Sequence, residues 1–418
     1  MLFWDVIERH FDEADFLWGV WERSLLSPTH TLDRVARGPE ERLWAHIDGL
    51  VANGPEVARR LLFPALEEDD PSRVRVAASA LLQTPGEAGI EAVIVALRAR
   101  PGQRGPMVRA LACSDRPEVS GRMRELLESS EQGLVTAAAE VLAFHHTPLE
   151  AVLPRLLESD SPSARALGLR ALLNVPASAR QRAAAQEGLR DKDSGVVAAA
   201  MEVGCRLGLR EAWRCVRERA LRGDPEALLL LALGGGPAEY KELSAALAEP
   251  AHRPAALWAL GFVGTPEILD ASLEWLEDKR SGPLSGEVFT AVTGVTLMEA
   301  NLTAPPKERR RLVHTPEDDL PLPDPAKVRD WWTRNRGRFA DGQRYLLGEP
   351  RSVAGMLAAL KHGPMRRRLG ILVDLQLRAS ARHSLRLQPR APTRQQYAEL
   401  SAIAAHGESG FNLSRLML

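Results

Sequence analysis

Ten histidines and three cysteines (Cys113, Cys205 and Cys215) are the residues of this chain best suited to metal or nucleophile chemistry, and their spacing supports neither. The adjacent pair His145-His146 would point its rings about 100° apart on a helix, a poor geometry for holding an ion. No Cys-x-x-Cys, no His-Glu-x-x-His and no repeated His-Glu pair occurs. Ligand number and spacing therefore predict no metal and no cofactor. Gly-x-Ser-x-Gly is absent too, and Cys205 and Cys215 lie in apolar helical surroundings that suit small core residues. Gly234-Gly-Gly-Pro237 lacks the Gly-Lys-Ser/Thr ending of a phosphate loop and reads as a turn between helices. No catalytic residue is expected.

Groups suited to binding are more plentiful. Arg378, Arg382, Arg386, Arg390 and Arg394 fall four apart, after Arg366-Arg-Arg368. On a helix they would form a slowly drifting stripe, interrupted at Pro389, whose planar guanidinium forks suit carboxylates or phosphates. A solvated face is expected first, an acidic protein surface second and nucleic acid third, because only Tyr397 is near enough to stack a base. The acids Glu317, Asp318 and Asp319 lie in a proline-rich stretch before Trp331 and Trp332, and an internal clasp onto Arg309, Arg310 and Arg311 is one reading of them. Asp318, Asp319, Trp331, Trp332, Arg344, Tyr345, Arg378, Arg382 and Arg386 are the expected partner contacts, with Arg73, Arg75 and Arg165 as further positions between the apolar stripes of the helices. Trp213, Trp258 and Trp275 leave open an alternative, a nucleic-acid-binding or DNA glycosylase-like protein with a tryptophan and a carboxylate in one cleft.

The elements that must position these groups follow from composition. The chain has 418 residues, 45% hydrophobic and 26% charged, enough to bury a core. Aromatics make up only 5%, while Ala, Leu and Arg dominate, a balance that favours packed helices over sheet. Charge is uneven. From Thr303 onward there are 21 Lys and Arg against 11 Asp and Glu, whereas the whole chain has 54 against 55. The acidic balance of the earlier part disfavours a nucleic-acid partner, since duplex binding rests on neutralising phosphates. The acid-containing start resembles no signal peptide, and the longest apolar run, Ala227–Leu233, is far short of the ~20 residues a membrane span needs. A cytoplasmic protein without disulfides is expected.

Turn-like dipeptides recur about every 30 residues, among them Asp70-Pro71, Arg100-Pro101, Asp160-Ser161, Asp193-Ser194 and Asp224-Pro225. Apolar faces with i, i+3, i+4, i+7, i+8 spacing follow several of them. Val74, Ala77, Ala78, Leu81 and Leu82 make one, and Val196, Ala199, Ala200, Val203 and Gly204 another. Asp70 and Asp224 are expected N-caps, with Pro next to them where a missing N–H costs nothing. A unit of two short helices cannot bury its own stripe, so neighbours must stack. The pattern resembles short HEAT-like repeats over roughly Leu61 to Gly294 and implies an all-α, right-handed HEAT-like α-solenoid.

The ends depart from the period. Ile7, Phe11, Ala14, Trp18 and Trp21 form one helical stripe and Leu43, Ile47 and Leu50 another, with Gly38-Pro39 read as the break between them. The expected organisation is an N-terminal helical cap over 1–60, repeats over 61–300, a proline-rich docking segment over 301–350 and a basic helical region over 351–418. Helices are expected near Pro325–Trp332 with Asp324 as cap, from about Ser352 to Lys361, and from Met365 to Leu387.

The phrases Pro316-Glu-Asp-Asp-Leu320, Pro323-Asp-Pro-Ala-Lys-Val-Arg-Asp-Trp-Trp332, Arg338-Phe339, Arg344-Tyr-Leu-Leu-Gly348 and Arg390-Ala-Pro-Thr-Arg-Gln-Gln396 carry a further resemblance. With the helical start, they resemble an uncharacterised proteobacterial family of HEAT-like repeat proteins often associated with type VI secretion gene clusters. That resemblance implies a non-catalytic adaptor, immunity or effector-linked role, with a protein partner drawn from a secretion system or its effectors and no membrane.

Overall fold

The computed structural model describes residues 2–174, 178–305, 315–379, 385–405 and 410–414. They are helical almost throughout; the strands among them are two of two residues each, β1 (Tyr345–Leu346) and β2 (Glu349–Pro350), paired antiparallel. The chain forms two compact units that do not follow chain order. Unit 1 comprises Met1–Leu25, Asp33–Val175 and Gln388–Ala398; unit 2 comprises Leu26–Leu32, Pro176–Leu387 and Glu399–Leu418.

In unit 1 the expected N-terminal stripe forms α1 (Trp4–Ser24), with Ile7, Phe11, Ala14, Trp18 and Trp21 all buried. The rings of Trp18 and Trp21 meet edge to face at 5.4 Å, and both approach Trp44, at 6.0 and 6.2 Å. That geometry makes them a packed aromatic cluster. The break expected at Gly38-Pro39 is not there. Helical backbone runs unbroken from Leu32 through a π-helical turn, Ala36–Glu40, into α2 (Glu41–Ala52). Pro39 has no N–H to give to a regular ladder, and the widened turn absorbs that loss without ending the helix.

The repeats follow as helix pairs: α3 (Pro71–Gln83) with α4 (Ala88–Ala99), α5 (Arg104–Cys113) with α6 (Pro117–Leu127), α7 (Gln132–Phe144), then α8 (Leu153–Leu157) with α9 (Pro162–Ala171). One helix of each pair, in the order α2, α3, α5, α7, α9, packs on its counterpart in the next pair and makes a continuous layer. The predicted stripe of α3 is wholly buried there; full burial of each Val or Leu contributes about 1.5–3 kcal/mol. Asp70 caps α3, its carboxylate accepting from the Ser72 N–H at 2.9 Å. Arginines close the opposite ends. Arg116 donates to the Thr84 and Gly86 carbonyls beyond α3, at 2.9 and 3.0 Å, and Arg155 to the Ser129 carbonyl beyond α6, at 2.7 Å. These arginines thus satisfy carbonyls at the negative ends of helices.

Unit 2 continues the same construction in α10 (Ala179–Gly188), α11 (Ser194–Arg206), α12 (Arg210–Ala220), α13 (Pro225–Gly234), α14 (Pro237–Ala245), α15 (Arg253–Val263), α16 (Pro266–Leu273) and α17 (Gly282–Thr293). Asp193 and Asp224 cap α11 and α13 through the Gly195 and Ala227 N–H groups, at 2.9 and 3.1 Å. Gly235 and Gly236 make the expected turn between α13 and α14. The proline-rich stretch is partly extended and docked. Ala304 N–H donates to the Leu322 carbonyl at 2.9 Å and Asp324 N–H to the Leu302 carbonyl at 2.8 Å. Then come α18 (Pro325–Asn335), capped by Asp324 as expected, the β1–β2 hairpin, α19 (Val353–His362) and α20 (Arg368–Arg378).

The helix expected over Met365–Leu387 is shorter than its pattern. It begins with a 3-10 turn at Met365–Arg367, and α20 ends at Arg378. There Ala379 pairs with Phe411 and the Arg378 carbonyl accepts from the Asn412 N–H at 3.0 Å, so the backbone leaves the helical ladder for a bridge. A last helix begins at Thr393.

Candidate functional site

Most of the expected partner contacts serve the interior of unit 2. Trp332 is buried and donates its indole N–H to Asp270 at 2.6 Å, and Tyr345 is buried with its ring 4.9 Å from Phe339. Arg344 is half-buried and donates to the Phe262 and Val263 carbonyls at the end of α15, at 2.8 and 2.9 Å. Burial, aided by the like charge of Arg351, pulls its guanidinium down to about 10. Trp331 is half-buried edge-on to Phe289 at 5.2 Å. Asp318 accepts from the N–H and hydroxyl of Thr315 at 2.8 and 3.0 Å, and Asp319 is exposed at the end of that 3-10 turn.

Among the described residues, the arginines of the expected stripe do not share one helix. Arg378 is buried, giving its Nε to Asp374 at 2.7 Å and one Nη to the Leu413 carbonyl at 2.7 Å. Arg386 is exposed on non-helical backbone, and Arg382 lies outside the described residues. Trp332, Tyr345 and Arg378 are therefore internal contacts, because burial leaves no face for a partner. Arg309, Arg310 and Arg311 also lie outside the described residues; Glu317 instead meets Arg366 at 2.7 Å. The tryptophans named for the glycosylase-like alternative all lie in unit 2. Trp213 is buried, Trp258 is covered by Arg366 and Arg367 at 4.5 and 4.9 Å, and Trp275 by Arg253 at 3.6 Å. Of the positions between stripes, Arg73 is held by Glu68 and Asp12 at 2.6 and 3.2 Å, and Arg165 by the Ser159 carbonyl at 2.8 Å.

One opening of the structure is in unit 1. A cleft of about 490 Å³ is walled by the repeat layer, with Trp44 from α2, Ser79 and Gln83 from α3, Cys113 at the end of α5 and Asp115 just after it. Its other wall is the C-terminal stretch of unit 1, through Pro392, Arg394 and Gln395. Burial pushes the Cys113 thiol up to about 11, away from the thiolate form. Among the described residues no group of three or more His, Cys, Asp or Glu is placed to hold a metal ion, and no helix is long and apolar enough to cross a membrane.

Two carboxylates of unit 1 hold its C-terminal stretch, and the first of them lines the cleft. Glu40 is buried by the π-helical turn and accepts three donors: the Trp21 indole N–H at 2.7 Å, the Thr393 backbone N–H at 2.8 Å and the Thr393 hydroxyl at 2.7 Å. Since Thr393 opens a helix, Glu40 satisfies an orphan N–H at the positive end of that helix. Burial raises the Glu40 carboxyl above the ordinary carboxylate value. Glu22, one turn from the end of α1, accepts from Arg109 Nε and Arg390 Nη2, each at 2.6 Å. Burial works to raise its carboxyl as well, but the Arg109 and Arg390 charges outweigh it and hold Glu22 below the usual range. Half-buried Arg75 lies 5.5 Å over the Trp18 ring nearby, and burial lowers its guanidinium.

Sequence reasoning passed over Glu22, Glu40, Arg109 and Thr393. A signal was present for Glu40. It stands in register with Leu43, Ile47 and Leu50, so it puts an acid on the buried face of a helix, a placement that requires buried partners.

No protein-family model matches this chain, and no curated protein matches it either. Three similar solved structures are YibA of Escherichia coli, at 15% identity over 65% of this chain and 94% of that one with a TM-score of 0.31; an engineered protein, at 15% identity over 87% and 98% with a TM-score of 0.28; and human deoxyhypusine hydroxylase in complex with glycerol, at 18% identity over 66% and 94% with a TM-score of 0.20. At such TM-scores these likenesses say nothing about activity. The helical-repeat assignment stands on the stripes, caps and helix pairs above.

Proposed function

We propose that this chain is a non-catalytic, cytoplasmic protein-binding scaffold whose contact surface is the unit-1 cleft. The observation that supports this reading is the cleft itself, open and walled by side chains from successive repeat helices that mix an aromatic ring, hydroxyls, an amide and a carboxylate. Such a wall offers apolar area with a few polar anchors, the composition that binds peptides and protein loops. In the same reading, the resemblance to the proteobacterial repeat family suggests an adaptor or immunity role beside a type VI secretion system.

The test is affinity capture from the native host with the intact chain and two variants. Gln83→Arg narrows the cleft from an exposed position, and Arg98→Glu alters an exposed position on α4 outside it. A partner retained by wild type and Arg98→Glu but depleted about tenfold, or ~1.4 kcal/mol, by Gln83→Arg supports the reading. Recovery that is equal with all three chains overturns it.

A further inference from the structure

The wall formed by residues 388–396 is bound as a ligand is bound. Its contacts read particular side chains at fixed spacing. Glu22 takes the Arg390 side chain at 2.6 Å, and Arg109 Nη2 donates to the Arg390 carbonyl at 2.7 Å. Ala391 is buried, and the Pro392 ring reaches the cleft. Glu40 reads Thr393 through both its N–H and its hydroxyl, which valine at that position could not match. Asp115 pairs with Arg394, and Gln395 Nε2 donates to the Cys113 carbonyl at 3.4 Å. Two acids on the wall thus face two arginines on the segment, while two buried groups define what fits between them.

The ion pairs at the ends differ, since Glu22 is only 15% exposed while the Asp115–Arg394 pair is open to water on both sides. The Arg390 and Arg394 side chains are 58% and 78% exposed, and Asp115 is 56% exposed. Pairs that open to water contribute little individually. The segment's hold therefore rests mainly on the buried Glu40–Thr393 contacts, on weaker ones at its ends, and on its tether, which supplies an effective concentration on the order of millimolar. Space remains beside it, since the 490 Å³ cleft is what the seated segment leaves open.

We propose that the unit-1 groove is a peptide-reading site selective for an Arg-x-Pro-Thr-Arg stretch, that residues 390–394 are its resident ligand, and that a partner protein carrying such a basic stretch, leading into a helix, competes for the same contacts. This rests on the scaffold reading above and specifies its partner class and its regulation: the chain's own segment holds the site until a competing stretch displaces it.

The test uses a fluorescein-labelled peptide with the sequence of residues 387–398 and the full-length chain. Fluorescence anisotropy is read with wild type and with the triple variant Arg390→Ala/Thr393→Ala/Arg394→Ala, whose folding is checked by its circular-dichroism melt. The variant is expected to bind the peptide at least about tenfold tighter than wild type, because the tethered competitor is weakened. A peptide carrying Arg390→Ala and Thr393→Ala is expected to lose that binding. A second measurement needs no variant: millimolar peptide added to the wild-type chain should speed amide exchange at residues 391–397.

Equal affinity for wild type and triple variant, or equal binding of the native and substituted peptides, overturns the proposal. Unchanged amide exchange under peptide excess does so even if the triple variant fails to fold. If the peptide fails while Gln83→Arg still depletes a captured partner, this inference falls and the scaffold reading stands. If Gln83→Arg has no effect while the peptide binds as expected, the groove reads peptides but the open cleft is not where partners dock.

Discussion

The Glu40 carboxylate receives both the backbone N–H and the hydroxyl of Thr393, at 2.8 and 2.7 Å, across 353 residues of sequence. A third donor, the buried indole of Trp21, completes its shell at 2.7 Å. Replacing Glu40 by alanine strands three donors, two of them on buried side chains. The expected loss is about 2–4 kcal/mol, the scale of charge-assisted bonds with buried donors left unpaired. Urea denaturation of the full-length chain measures it. A Glu40→Ala midpoint equal to that of wild type would mean that the seated segment adds nothing to stability.

Asp374 is buried in unit 2 between Arg351 and Arg378, and although burial alone would raise its carboxyl, Arg351, Arg378 and Arg344 hold it below the ordinary aspartate value. Between that depressed folded value and the ordinary value the unfolded chain binds more protons, so stability rises with pH there. The contribution is full above the ordinary carboxylate range and is lost as pH falls through the folded value. Asp374→Asn should cost about 3–5 kcal/mol at neutral pH, the scale for breaking a buried pair, and should flatten the acid limb. Glu40 has the opposite sign. Its raised carboxyl makes stability fall as pH rises from the ordinary value to the folded one. Urea midpoints from about pH 3 to about pH 8 would separate the two, and an unflattened acid limb in Asp374→Asn would refute the assignment.

The stripes of α3 and α11 were readable because a helix spaces its core face every three or four residues, whatever lies elsewhere in the chain. The caps at Asp70, Asp224 and Asp324 were readable for the same reason: a cap is decided within four residues. What could not be read was decided at a distance. The helix expected to run to Leu387 stops at Arg378, where Ala379 pairs with Phe411 and Asn412 takes the Arg378 carbonyl. Regular spacing placed Arg378 and Arg390 on one stripe, yet Arg378 is an interior group of unit 2 and Arg390 answers Glu22 in unit 1. Pro39 looked like a terminator because the π-helical turn that tolerates it is rare enough to be passed over.

Gly264 ends α15 with φ +73°, and a Cβ there would lie 2.3 Å from the Tyr345 carbonyl oxygen. The approach is used, since Tyr345 N–H donates to the Gly264 carbonyl at 2.8 Å and Arg344 takes the Val263 carbonyl beside it. Gly294 repeats the arrangement at the end of α17, where Leu347 and Gly348 donate to the Ala291 and Val292 carbonyls at 2.8 and 2.9 Å. Gly264→Ala should therefore destabilise unit 2 by at least about 2 kcal/mol, combining left-handed strain with displacement of β1. Gly342 provides the control. Its φ is also +73° but nothing lies within 4 Å of its added Cβ, so Gly342→Ala should cost only the strain, about 1 kcal/mol. Equal losses in the two variants would remove the close approach of β1 as a cause.

Of the three cysteines, Cys113 reports on the cleft, and Cys205 and Cys215 in unit 2 serve as references. Cys113 is buried at the cleft wall with its thiol pushed up to about 11, Cys205 is buried, and Cys215 is half-buried on α12 with burial raising its thiol as well. At about pH 8 a thiol with that value is ionised to roughly one part in a thousand, and alkylation proceeds through the thiolate. Iodoacetamide should therefore label native protein first at Cys215, the most accessible of the three, with Cys113 and Cys205 reacting only on unfolding. Peptide mass spectrometry along a time course reads the order. Displacing the segment over the cleft, as in the triple variant at Arg390, Thr393 and Arg394, should speed Cys113 selectively, because Gln395 contacts its carbonyl from that segment. Acceleration at Cys205 to the same degree would mean that the substitutions loosen the whole chain, and Cys113 labelling as fast as Cys215 in wild type would mean that the segment does not close that wall.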